Sequence, residues 1–155
     1  MEIKKLKELT EEELDRLVDI HFSHWKKFNP KMKKENTIYK FKELYIKEEL
    51  PFGIALFNEE KDIVGFCIFK MENLKKYPEI YPWISDVMIL KEYQKKGYGR
   101  ILIQEALKIL KNLGYPKAYL WTDQAPEFYK KLGFQYVKQV EKNEDGYGEL
   151  YSINT

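Results

Sequence analysis

The stretch that most limits the fold is Gln94-Lys95-Lys96-Gly97-Tyr98-Gly99, together with what flanks it. Ahead of it, Val87-Met88-Ile89-Leu90 is an apolar run that reads as a strand end. Behind it, Arg100 to Leu110 carries apolar residues at helical spacing, and Gly114 closes the segment. Strand, basic glycine loop and helix in this order build an anion site. The first turn of a helix offers free N–H groups and a partial positive charge. Glycines let an anion approach the backbone and permit left-handed φ values. Lys95, Lys96 and Arg100 add full charges at the same place. Spacing alone describes an ordinary basic turn before a core helix equally well.

The rest of the chain supplies the context. Ile3 to Leu9 alternates apolar and charged residues and predicts a first strand. Thr10 and Glu13 form a capping box, and Leu14, Leu17, Val18 and Phe22, with His21 and Trp25, make a helical stripe. That helix is expected to end before Asn29-Pro30. Residues 31–37 read as a polar loop, and Ile38 to Lys47 as a second helix stopped by Pro51. Gly53 to Phe57 and Asp62 to Met71 predict an antiparallel hairpin. After a connection over Asn73 to Pro82 comes the strand Trp83 to Leu90, then the glycine loop and its helix. Ala118 to Thr122 is a strand, Pro126 to Leu132 a short helix, and residues 134–141 and 148–153 a closing hairpin. Strand, helix and strand at this separation imply a right-handed crossover between parallel neighbours. The fold class is α/β: one mixed sheet, antiparallel at both ends, with a parallel pair in the middle. The glycine loop falls at the carboxyl end of a parallel strand, where ligands of open sheets bind.

Bulk properties exclude several classes. The chain of 155 residues predicts a single domain over 1–155. Its net charge is only +2 although 34% of residues are charged, which gives no case for nucleic acid as the partner. Lone Cys67, inside Val64-Gly65-Phe66-Cys67-Ile68-Phe69, reads as a packing residue. The start of the chain has no apolar signal core, and no stretch is long enough to span a membrane. A soluble cytoplasmic protein without a membrane partner is the expectation. His21 and His24 share a helix face, but no third ligand accompanies them, so no metal is expected.

Two phosphate loops are ruled out by pattern. No Gly-x-x-x-x-Gly-Lys-Ser/Thr exists, and the third position of a dinucleotide fingerprint is Leu102. Gln94, Gly97 and Gly99 do match the Gln/Arg-x-x-Gly-x-Gly/Ala loop of the GNAT family of acetyl-CoA-dependent N-acetyltransferases. Downstream, Ala125-Pro126-Glu127-Phe128-Tyr129-Lys130-Lys131-Leu132-Gly133-Phe134 resembles that family's Ala-x-x-Phe-Tyr-x-Lys-x-Gly-Phe segment. The order of elements agrees from end to end. The resemblance implies a GNAT-like acyltransferase fold, with helices on both faces of the sheet and a splayed parallel strand pair.

The resemblance also implies roles. Acetyl-CoA is the expected cosubstrate. Its pyrophosphate falls to Gln94, Lys95, Lys96, Gly97, Tyr98, Gly99 and Arg100, and its pantetheine arm to the strand end Val87, Met88 and Ile89. Tyr129 is the expected general acid for the leaving CoA thiolate, since a phenol with a pKa of about 10 is protonated at neutral pH. Asp86 is the candidate base or acceptor-binding group, and Asp123 a further candidate. Many members carry Asn where this chain has Thr122, so Thr122 is a shorter-reaching cofactor contact. Tyr119 and Tyr136 are expected to pack.

The acceptor is expected to be a primary amine of a small molecule or peptide. The first helix and the segment after it offer His21, His24, Trp25, Phe28, Tyr39 and Tyr45, with Tyr77, Tyr81 and Trp83 from the connection before the strand. No acidic cluster advertises a polyamine or aminoglycoside. A homodimer stays open. The competing class is a binding module that senses acetyl-CoA without turnover, and a nucleotide-phosphate binder stands behind it.

Overall fold

The computed structural model describes residues 1–155. One seven-stranded sheet runs through the molecule in the order β1-β2-β3-β4-β5-β7-β6. Strand β1 is Glu2–Lys5, β2 is Phe52–Phe57, β3 is Ile63–Lys70, β4 is Trp83–Ile89, β5 is Lys117–Thr122, β6 is Gln135–Glu141 and β7 is Tyr147–Asn154. Every pairing is antiparallel except β4 with β5. That parallel pair is joined at a single position, Trp83 opposite Tyr119. Beyond it the strands part, and the rest of β4 has no strand neighbour on that side.

Helices cover both faces. Helix α1, Glu11–Trp25, starts at the capping box: the Thr10 hydroxyl accepts from Glu13 N at 3.1 Å, and the Glu13 carboxylate accepts from Thr10 N at 2.9 Å. Its Leu14, Leu17 and Val18 meet Phe41, Phe57, Phe66 and Ile68 in one core. Helix α3, Tyr98–Asn112, lays Leu102, Ile103, Ala106 and Leu110 on the opposite core with Phe52, Ile54, Cys67, Phe69 and Leu120. Fully buried Cys67 packs there, and burial pushes its thiol pKa up, as expected of a structural cysteine.

Three local expectations need correction. The first strand ends at Lys5, and Leu6–Glu8 form a 3₁₀ turn that drops Leu6 into the core. Residues 31–37 are not all loop. Helix α2 spans Lys34–Tyr39, ahead of where the second helix was expected, and a π turn follows over Lys40–Leu44. The wide turn closes with Tyr45 N donating to Lys40 O at 2.8 Å, and it turns both Phe41 and Tyr45 inward. Phe22 is half-buried rather than on the core face, with the Lys26 ammonium over its ring at 5.6 Å. Helix α4, Pro126–Lys131, begins with the proline in its first turn.

Candidate active site

The parting of β4 from β5 opens a cleft of about 280 Å³. Ser85, Asp86 and Val87 line it from β4, Trp121, Thr122 and Asp123 from β5 and the turn after it, and Tyr129 and Trp25 of α1 complete the lining. The two residues expected to carry chemistry, Asp86 and Tyr129, thus share one cleft although they sit on different elements.

Asp86 is placed by a bulge. In β3, one residue, Cys67, separates Phe66 from Ile68; across from it, Asp86 and Val87 separate Ser85 from Met88. The extra residue is taken up at Asp86, whose φ is 51°. The carboxylate is held from three sides. Ser85 Oγ donates to Oδ1 at 3.1 Å, His21 Nε2 lies 3.2 Å from Oδ2, and Lys70 Nζ lies 3.7 Å from Oδ2. Burial works against the Asp86 charge, but Lys70, His21 and Ser85 outweigh it and hold the carboxyl well below the usual carboxylate range. The same contact acts on Lys70: burial opposes its charge, and Asp86 and Tyr45 more than offset that, so its pKa rises. His21 itself is buried, stacked on Trp25 at 4.4 Å and tilted against Phe41 at 4.9 Å.

Tyr129 is fixed by its ring, edge-on to Phe128 at 5.0 Å and to Phe134 at 5.7 Å. Burial raises its phenol pKa, with Cys67 adding to the effect. The group therefore keeps its proton throughout the neutral range. Thr122 sets up the approach to α4: its hydroxyl oxygen accepts from Ala125 N at 3.0 Å and Gln124 N at 3.3 Å, turning the chain after β5. Its hydrogen stays available as a donor.

The glycine loop lies past the carboxyl end of β4. Gln94 donates from Nε2 to Ile89 O at 2.9 Å, tying the loop to the strand. Gly97 caps α3 with φ 88°, and a Cβ added there meets nothing within 4 Å. The first N–H groups of α3 have no intrahelical partner, and the space beside this left-handed cap is open, as an anion needs. At Gly99 the constraint differs: a Cβ would stand 2.9 Å from the Phe128 ring, so glycine lets α4 close on α3. Ile89, Gln94, Lys95, Gly97, Gly99 and Arg100 border one cavity of about 340 Å³. Lys96 is exposed outside that lining, and the Tyr98 ring packs edge-on to Tyr93 at 6.1 Å. Val87, Met88 and Ile89 border a groove of about 690 Å³ whose far wall is α1, with His24 upon it. Burial, then Lys27 and His21, lower the His24 pKa, so the ring is neutral at pH 7. Val87 borders both the groove and the cleft, and Ile89 both the groove and the cavity, so the three openings adjoin along β4.

Sequence reasoning missed Lys70 and Lys142 and the tie between His21 and Asp86. These contacts span 65 residues for His21 with Asp86 and 19 for Lys142 with Asp123, and no local pattern signals them.

A mixed seven-stranded sheet whose one parallel pair splays apart frames the cleft, and likeness to known proteins identifies the family. The model of the Acetyltransferase (GNAT) family matches residues 14–134. The chain belongs to that family, whose cosubstrate is acetyl-CoA. An uncharacterized N-acetyltransferase, CgeE of Bacillus subtilis strain 168, is 48% identical over 60 residues, 37% of this chain and 23% of that protein. The match thus spans about a quarter of the length of the curated relative. The crystal structure of an aminoglycoside 6'-N-acetyltransferase complexed with coenzyme A superposes with a TM-score of 0.76 at 16% identity, covering 99% of this chain and 97% of that one. A chimera of the spermidine N-acetyltransferase SpeG from Vibrio cholerae and hSSAT gives 0.75 at 16% identity, covering 99% and 96%. No helix is long and apolar enough to cross a membrane.

Proposed function

We propose that the chain transfers the acetyl group of acetyl-CoA to a primary amine of a small molecule or peptide by direct attack. The observation that carries this reading is the single cleft that holds Tyr129, Asp86 and the start of the β4 groove. Acetyl-CoA supplies the thioester carbonyl and the thiol leaving group. The open φ 88° cradle at Gly97, with Lys95 and Arg100 beside it, suits the pyrophosphate. The unpaired side of β4 at Val87 to Ile89 suits the amides of the pantetheine arm, which bind there as an added strand would.

Tyr129 acts as general acid. As the C–N bond forms and the C–S bond breaks, its phenol gives its proton to the departing sulfur, and solvent reprotonates it. Asp86 takes the acceptor-binding role. Its depressed pKa makes it a weak proton acceptor, but it stays charged at any physiological pH and draws the acceptor ammonium to the cleft. The nitrogen then loses its proton to water before attack. Thr122 holds the turn that presents Tyr129 and offers its hydroxyl hydrogen to the cofactor or a water.

Thiol release measured over a panel of primary amines tests the proposal, alongside calorimetric titration with acetyl-CoA. Turnover on at least one amine supports it. Tight acetyl-CoA binding with no turnover on any amine replaces it with the sensor reading.

A further inference from the structure

Both carboxylates that line the cleft already have a lysine of this chain upon them. Asp86 has Lys70 at 3.7 Å. Asp123 accepts from Lys142 Nζ at 2.9 Å, and the same ammonium stands 5.9 Å from the centroid of the Trp121 ring. A carboxylate beside an indole is what a cleft offers to the remote cation of a diamine. Here Lys142, the residue after β6, fills that position itself. The next carboxylate along the surface, Glu149, is engaged by the Tyr151 hydroxyl at 2.6 Å.

The reacting nitrogen can use Asp86 Oδ1, which accepts only from Ser85 Oγ, since His21 and Lys70 both lie on Oδ2. A second cation on the acceptor would meet the Lys142 ammonium that lies on Asp123 Oδ2 and beside the Trp121 ring. An anionic group would meet an ammonium with three donors, of which Asp123 uses one. Lys40, in the π turn over the same face, adds a further cation to the surroundings of Lys70. Its pKa is lowered by burial and then by the Lys70 charge.

Building on the acceptor reading above, we propose that Lys142 is a specificity-determining residue that occupies the cation subsite formed by Asp123 and Trp121 of the cleft wall. The acceptor is therefore a monoamine whose other polar group is a carboxylate, and diamines are refused.

The test compares two acceptors of matched length, 4-aminobutanoate and 1,4-diaminobutane, in wild type, Lys142→Met and Lys142→Arg. Wild type should favour the amino acid at least tenfold in kcat/KM. Lys142→Met should lower that preference at least tenfold through KM, and Lys142→Arg should restore it. Preference of wild type for the diamine, or a ratio unchanged within twofold in Lys142→Met, overturns the proposal. A readout free of turnover runs beside it: protection against heat by succinate or 1,4-diaminobutane, with CoA saturating. Succinate should protect wild type, and the diamine only Lys142→Met. If this pattern holds while no amine is acetylated, the transfer reading fails and the subsite stands. Equal protection by both ions in both forms, or by neither, overturns the subsite.

Discussion

Replacing Tyr129 by Phe removes one oxygen and leaves the ring. The ring contacts to Phe128 and Phe134, at 5.0 and 5.7 Å, are those of a phenyl group and survive the change. Folding stability should therefore shift by less than about 1 kcal/mol. The acetyl-CoA dissociation constant should also hold, because the loop and β4 groove are untouched. What goes is the proton for the sulfur. General acid catalysis of this kind contributes about 10²–10⁴ in rate, equivalent to roughly 2.7–5.4 kcal/mol of barrier. Thiol release at saturating acetyl-CoA should fall by that factor with the acceptor KM unchanged. Burial keeps the wild-type phenol protonated well above neutrality, so no basic limb assignable to Tyr129 should appear between pH 7 and about 9. A kcat that stays within about threefold of wild type in Tyr129→Phe would refute the general-acid assignment, and with it the reason to place chemistry on α4.

Asp86→Asn leaves Lys70 without its counter-charge in a site where both side chains are about one-fifth exposed, 19% and 20%. Chemical denaturation should show a loss of about 2 kcal/mol, below the cost in a fully dry core. The folded carboxyl titrates below the ~3.9 of an unfolded aspartate, so its stabilisation is complete above that value and disappears as pH falls through the folded pKa. Wild type should lose stability below about pH 4 more steeply than Asp86→Asn in acid titrations of the melting temperature. Gly97→Ala forces an L-residue into φ 88° at about 1 kcal/mol, lowering the Tm by roughly 2–4 °C. Calorimetry should show acetyl-CoA affinity falling at least tenfold as the methyl enters the cradle. Thr10→Ala removes half of the capping box and should cost about 1 kcal/mol in a thermal melt, with kcat unchanged.

The parts of the site that were legible in the sequence are those built by local chemistry. Gly97 announced a left-handed cap because no other residue adopts that φ as readily, and Thr10 with Glu13 announced the start of α1 because both partners lie within four positions. The short helix that carries Tyr129 was legible because a proline start and a glycine end bound it. The bulge at Asp86 was not, since a strand hides an extra residue until its neighbour is laid beside it; the count across Cys67 reveals it only in register. The π turn escaped for a related reason. Lys40 to Leu44 has good α-helical spacing, and only the inward pull on Phe41 and Tyr45 widens it. Lys70 and Lys142 carry no local signal in the sequence, and only the fold shows them opposite carboxylates.

The lone Trp83–Tyr119 pairing makes the sheet a book with one stitch in its spine. The leaf of β1 to β4 is written before residue 90, and the leaf of β5, β7 and β6 after residue 116. Helix α3 runs beneath both and keeps them aligned, but the upper spine is open. A ligand lodged there touches both leaves and is lost when either unfolds. At a hundredfold excess over its dissociation constant, such a ligand adds about 2.7 kcal/mol to the folded state. On the proposed reading, with acetyl-CoA in that opening, resistance to proteolysis should rise with acetyl-CoA concentration.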